Sequence, residues 1–234
     1  LDGGAGNDTL APGIGADSIV GGVGSQDLLR IDNRSDTASI IVSYGAPASG
    51  FPAEGTISGG SNDGTSFREI ERIELFTGSG NDSIDVSATS GERFAADVSA
   101  GGGNDTVRSG SGSDRLRGEG GNDSLTAGDG DDELHGDEGN DSLDGGEGND
   151  TLVGGSGSDS LFGGEGADVF RYLSFTEGED SITNFASGTD KIEVVSAGFG
   201  GLPVGALPSE NFIVGRSGSP PVLPAAPVFI YESE

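Results

Sequence analysis

A single large apolar residue recurs at every ninth position along the middle of the chain: Val107, Leu116, Leu125, Leu134, Leu143, Leu152, Leu161 and Phe170. Its neighbours on either side are mostly polar, the period-two alternation of a very short strand. In the eight consecutive nonapeptides from Ala100 to Arg171, Gly always stands fourth and Asp always sixth, at Asp105, Asp114, Asp123, Asp132, Asp141, Asp150, Asp159 and Asp168. The first six positions are rich in Gly, which suits positive φ and close approach of backbone to a ligand, and they predict a turn. Positions seven to nine predict the strand. Two nonapeptides bring the chain back over itself, so repeat n stacks on repeat n+2, as expected of stacked coils with a fixed period.

That stacking sets two columns of carboxylates. Asp105, Asp123, Asp141 and Asp159 share one edge, and Asp114, Asp132, Asp150 and Asp168 the other. Coils stack about 4.8 Å apart, so bare carboxylates would repel along each edge and call for a cation between them. Asp does favour Gly-rich turns by itself. Its phase with an invariant apolar column nevertheless points to metal. Carboxylates and turn carbonyls make an all-oxygen cage of the kind Ca²⁺ prefers, with 6–8 ligands at about 2.3–2.6 Å, whereas Zn²⁺ favours nitrogen and sulfur and Mg²⁺ dehydrates reluctantly.

These rows resemble the G-G-x-G-x-D-x-U-x nonapeptide of the RTX, or hemolysin-type calcium-binding, repeat. The resemblance implies an all-β chain forming a right-handed parallel β-roll with a C-terminal β cap. It implies several Ca²⁺ ions held between turns by Asp side chains and by turn carbonyls, here those of Gly118, Gly121, Gly136, Gly139, Gly145, Gly148, Gly154 and Gly157. It also implies export by a type I secretion apparatus to the cell exterior or surface.

Composition agrees. The 234 residues carry a net charge of −29 with 46 Gly and no Cys, so neither disulfides nor thiolate sites can staple the chain. Within residues 100–171 there are 17 Asp and Glu against 4 Arg, which concentrates the repulsion in the repeats. An acidic surface of this kind disfavours nucleic acid, and no apolar run approaches the ~20 residues of a membrane span. The module is expected to be a monomer. It opens inside a repeat, on Leu1-Asp2-Gly3-Gly4, and is expected to be a fragment of a longer protein.

Four regions follow. Residues 1–29 carry three copies in frame from Gly3, of which the first two keep Asp8 and Asp17 as candidate ligands; in the third, Gln26 stands where Asp is expected, Leu28 keeps the apolar column, and the site is expected to be weak or empty. Residues 30–99 leave the period. Strand-like runs at Ala38–Tyr44 and Ile70–Phe76 flank a Gly/Ser/Pro/Asn stretch from Gly45 to Ser66, and one further copy, Thr77–Asp85, offers Asp82. These residues are expected to be longer, irregular coils that continue the same solenoid, with a separate inserted β-domain as the alternative. Residues 100–171 are the main block. In residues 172–234 the Gly periodicity stops after Phe170; strands are expected at Arg171–Phe175, Asp180–Phe185, Lys191–Val195, Asn211–Val214 and Val228–Tyr231, with a turn at Ala186–Thr189. This region is similar to the cap and the start of the secretion region that follow the repeats in serralysin-type proteases.

Catalytic signatures are missing. There is no H-E-x-x-H, G-x-S-x-G or Cys nucleophile, and Asp129-x-Asp131-x-Glu133 runs into Leu134 where an EF-hand needs Gly. His135, at the outward ninth position, is expected to be a solvated surface residue. Asp129, Asp131, Glu133, Asp137 and Glu138 read as solubilising surface or a secondary ion shell. The sequence therefore predicts a non-catalytic calcium-dependent folding and secretion module; a C-terminal part of an exported protease, lipase or alginate epimerase, or a segment of a surface adhesin, is the alternative.

Overall fold

The computed structural model describes residues 1–13, 15–23, 27–44, 54–60, 64–87, 95–174, 177–186, 188–195, 212–215 and 229–232. The N-terminal strands are β1 (Asp2–Ala5), β2 (Thr9–Leu10), β3 (Ser18–Val23) and β4 (Leu28–Asp32). The irregular region adds β5 (Ile41–Tyr44), β6 (Glu54–Ser58), β7 (Thr65–Arg68), β8 (Arg72–Phe76), β9 (Ser83–Asp85) and β10 (Ala95–Ser99). The main block gives β11 (Thr106–Ser111), β12 (Arg115–Gly120), β13 (Ser124–Asp129), β14 (Glu133–Glu138), β15 (Ser142–Glu147), β16 (Thr151–Ser156), β17 (Ser160–Glu165) and β18 (Val169–Tyr172). Last come β19 (Ser181–Thr183), β20 (Lys191–Val194), β21 (Phe212–Gly215) and β22 (Phe229–Glu232).

Successive strands alternate between two sheets. The main-block strands β11, β13, β15 and β17 lie in one sheet and β12, β14, β16 and β18 in the other. Every pairing in the block is parallel and offset by 18 residues, as in Leu125↔Leu143 and Leu134↔Leu152. This is a parallel β-roll. Its core is one apolar side chain per strand, with Leu116, Leu125, Leu134, Leu143, Leu152, Leu161 and Phe170 all buried between the sheets.

The strands are longer than the nonapeptide pattern predicts. They run six residues, from the seventh position of one repeat through the third of the next, leaving only the fourth to sixth for the turn. The ladder survives the glycines because their backbone still pairs between coils, as in Gly128↔Gly146. The fourth position, by contrast, requires Gly: at Gly139 φ is +134°, and an added Cβ would collide with the carbonyl oxygen of Gly121 one coil away.

The strands of residues 30–99 join the same two sheets, with an antiparallel excursion in which β6 pairs with β5 and β7. Strand β6 falls inside the Gly45–Ser66 stretch that reads as a connection. Gly55 looks like a breaker in the sequence, but the Phe67 ring lies against it where any Cβ would stand. In the C-terminal region β19 and β20 extend the two sheets, and the main-chain N–H groups of Thr189 and Asp190 close the expected turn on the carbonyl of Ala186 at 3.0 and 2.9 Å. Strand β18 ends at Tyr172; Phe175, Ser187, Asn211 and Val228 lie outside the described residues, as does Gln26. No helix among the described residues is long and apolar enough to cross a membrane.

Candidate metal centre

Each sixth-position Asp stands just before a strand, where the turn directs its carboxyl inward. In the main block all eight are buried. One oxygen has a fixed task. Oδ1 accepts the main-chain N–H of the Asp in the preceding coil: Asp123 from Asp105 at 2.8 Å, Asp141 from Asp123 at 2.8 Å, and Asp159 from Asp141 at 2.8 Å. The opposite edge repeats this, with Asp132 accepting from Asp114 at 2.7 Å, Asp150 from Asp132 at 2.9 Å and Asp168 from Asp150 at 3.0 Å. Asp105 accepts from Asp82 at 2.7 Å. The two columns expected from the repeat are thus two hydrogen-bonded ladders.

The other oxygen has no hydrogen-bond partner. Oδ2 of Asp8, Asp17, Asp82, Asp105, Asp114, Asp123, Asp132, Asp141, Asp150, Asp159 and Asp168 is buried and unsatisfied. An ionised carboxylate in that position is costly unless a cation meets it. Burial, reinforced by the neighbouring Asp charges, pushes Asp105, Asp132 and Asp141 up to about 7 and Asp150 up to about 6. Without a counter-ion the ladder resists ionisation at neutral pH.

The space beside each orphaned oxygen is shaped by the first residue of the repeat. A Cβ built on Gly118, Gly136, Gly145, Gly154 or Gly163 would stand less than 3.0 Å from Oδ2 of Asp123, Asp141, Asp150, Asp159 or Asp168 in turn. The next coil's carbonyl reaches the same spot: Gly163 O lies 2.5 Å from such a Cβ on Gly145, Gly136 O lies 2.9 Å from one on Gly118, and Gly154 O meets one on Gly136. A carboxylate oxygen and a carbonyl oxygen therefore converge on a place that only the missing side chain leaves open. This donor set fits a hard, oxygen-seeking cation. Among the described residues no three acidic or histidine side chains come together as a metal cluster, so further ligands must come from backbone or water.

Of the carbonyls expected as ligands, those of Gly136 and Gly154 face this space. Those of Gly121, Gly139, Gly148 and Gly157 lie instead against the fourth-position glycine of the next coil, at Gly139, Gly157, Gly166 and Gly178. Gly118 and Gly145 provide open floor. Asp17 is only half buried, and its N–H donates to Thr65 Oγ1 at 3.2 Å, a hydroxyl standing where the ladder would have a carboxylate. His135 is more covered than a ninth-position residue should be, with Nε2 3.0 Å from Glu133 Oε1.

Three ladder members escape a strict nine-residue frame. Asp27 accepts the N–H of Asp8 at 2.9 Å and is fully buried with its own Oδ2 orphaned, while Leu29, not Leu28, faces the core opposite Leu10. The register has slipped by one residue, so Asp27 takes the rung that the nine-residue frame assigns to Gln26. Asp180 and Asp190 continue the two ladders, accepting from Asp159 at 3.0 Å and from Asp168 at 3.2 Å. Gly178-x-Asp180-x-Ile182 and Gly188-x-Asp190-x-Ile192 keep the four-six-eight spacing beyond Phe170, so the periodicity is displaced rather than lost. Asp190 differs in one respect: its Oδ2 is satisfied by the N–H of Ala186 at 2.7 Å.

No curated protein matches the chain. The family described as the RTX calcium-binding nonapeptide repeat matches it in four copies, over residues 1–25, 99–134, 109–143 and 135–170. Period, ladder and match agree over residues 1–25 and 99–170: the coils there are RTX calcium-binding nonapeptide repeats, a repeat that binds several Ca²⁺ ions per array.

Proposed function

We propose that this protein is a non-catalytic RTX module that folds when Ca²⁺ meets its two Asp ladders, and that it does so outside the cell after export through a type I secretion apparatus. The ligands would be drawn from Asp8, Asp17, Asp82, Asp105, Asp114, Asp123, Asp132, Asp141, Asp150, Asp159 and Asp168, joined by Asp27 and by first-position carbonyls such as Gly136 O and Gly154 O. The row of orphaned Oδ2 atoms carries this reading. With one apolar side chain per strand the core is thin, and the repulsion between buried carboxylates is relieved only by protons or by cations. Extracellular calcium modules bind at about 10⁻⁴ to 10⁻³ M. A calcium-poor cytosol would keep the chain open for export, and the exterior would close it. On this reading residues 1–29 and 100–171 are repeat segments, 30–99 irregular coils with one further repeat at 77–85, and 172–234 the cap and secretion-associated region, with the module acting as a monomer.

Circular dichroism of the chain at neutral pH, titrated with Ca²⁺ and then with excess chelator, tests this. The expected result is a β-rich spectrum that appears with calcium and is lost with chelator. A spectrum that stays β-rich in excess chelator would overturn it.

A further inference from the structure

The ladder is not uniform. Where the repeats of Asp123, Asp141, Asp150, Asp159 and Asp168 begin with Gly and those of Asp105 and Asp132 with Ala100 and Ala127, the repeat of Asp114 begins with the hydroxyl residue Ser109 and that of Asp82 with Thr77. Both hydroxyl residues are buried. Ser109 Oγ donates to the carbonyl oxygen of Ala127 at 3.0 Å, and Thr77 Oγ1 to that of Ala100 at 2.5 Å. Ala127 and Ala100 are first-position residues one coil on, so these carbonyls correspond to Gly136 O, Gly154 O and Gly163 O at the open rungs.

We propose that the first residue of each repeat decides which rungs take an ion, and that Ser109 and Thr77 close the rungs of Asp114 and Asp82 to Ca²⁺. The inference rests on the reading above, that ions sit between Oδ2 and the next coil's first-position carbonyl. Two effects act together. The Cβ and oxygen of the hydroxyl residue fill the volume that Gly leaves open. The hydroxyl hydrogen then serves the carbonyl that would otherwise turn a lone pair to the metal, so the rung loses a ligand as well as space. A cation needing 6–8 oxygens tolerates neither loss easily. The consequence is an array whose ions are concentrated in the coils from Gly118 onward, next to the cap, while the coils at Thr77 and Ser109 are joined by neutral hydrogen bonds.

The test is the number of Ca²⁺ ions bound per chain, measured by equilibrium dialysis at saturating calcium for the parent chain, Ser109→Gly, Thr77→Gly and the reciprocal Gly145→Ser. The expected result is one additional ion for Ser109→Gly and one for Thr77→Gly, and one fewer for Gly145→Ser. Should Gly145→Ser fail to fold, the two gain-of-ion variants still decide. An unchanged or reduced count in both, against a parent that binds several ions, would overturn the proposal, because the hydroxyls would then be spectators or ligands. A parent chain that binds no calcium would instead remove the underlying reading, and this proposal with it.

Discussion

Oδ1 of Asp141 accepts the main-chain N–H of Asp123 at 2.8 Å while Oδ2 of the same carboxyl group lies buried beside Gly136 with no hydrogen-bond partner. One carboxylate thus does two separable jobs: half of it ties coil to coil, and half is reserved for a cation. The geometry recurs along both edges, so the repeat's invariant Asp is needed for stacking even before metal is considered.

Replacing Asp141 with Asn separates the two jobs. The amide oxygen can still accept from Asp123, but the amide nitrogen brings donors to the place where the cation's ligand stood. The variant is expected to bind at least one Ca²⁺ fewer than the parent. At calcium about tenfold above the site's Kd, each ion lost should lower stability by about 1.4 kcal/mol. Equilibrium dialysis and denaturant unfolding in calcium check both numbers; parental values for each would show that Oδ2 holds no ion.

The raised carboxyls set a pH dependence whose sign is opposite to that of an ordinary salt-bridged Asp. Asp105, Asp132 and Asp141 sit near 7 and Asp150 near 6 in the metal-free roll, and about 3.9 in an unfolded chain. Between those limits the folded form binds more protons, so its stability is fully present below about pH 4 and is lost as pH rises through about 7. Calcium-stripped protein should therefore gain β signal on acidification from about pH 8 to about pH 5, and the calcium midpoint should move to higher concentration over the same interval as protons compete for Oδ2. Dichroism at both pH values, with and without calcium, reads this. A metal-free signal that weakens on acidification would contradict it.

What the sequence shows clearly is whatever the repeat enforces locally. The 18-residue stacking, the two Asp edges and the buried column from Leu116 to Phe170 all follow from residues whose spacing never varies. The losses occur where spacing varies but geometry does not. Asp27 keeps its rung although it stands 19 residues from Asp8 instead of 18, and Asp180 keeps its rung 21 residues from Asp159. A fixed frame cannot see either. Strand length was hidden for a different reason. Glycine reads as turn, yet in stacked coils its bare backbone pairs with that of the next coil, and the ladder continues through it.

Glu119 occupies the second position of its repeat with φ +73°, a left-handed conformation that costs a side-chain-bearing residue roughly 1–2 kcal/mol and Gly almost nothing. Gly128, Gly146 and Gly164 fill the equivalent place on the opposite edge. Glu119→Gly should stabilise the calcium-loaded protein by about 1 kcal/mol, less than the full strain because Gly also gains freedom in the unfolded chain. A thermal midpoint raised in calcium, with the ion count unchanged, is the expected outcome; a lower midpoint would mean that contacts of the Glu119 side chain outweigh the strain.

Third- and fourth-position glycines on the same edge of the roll should differ sharply in tolerance. A Cβ on Gly120 meets nothing within 4 Å. On Gly139, at φ +134°, it would strike the Gly121 carbonyl oxygen, which belongs to rigid backbone and cannot rotate away as a side chain would. Gly139→Ala must therefore separate two coils, opening both the hydrogen bond from Gly121 N to Glu138 O at 2.8 Å and the spacing on which the Asp123 and Asp141 rungs depend. The cost should reach about 4 kcal/mol or more, the range reserved for a named steric failure, while Gly120→Ala should stay within about 0.5 kcal/mol of the parent. Calcium titrations followed by dichroism would show Gly120→Ala folding like the parent and Gly139→Ala needing far more calcium or failing to fold. Equal behaviour of the two would mean that the close fourth-position stacking is not what sets the distance between coils.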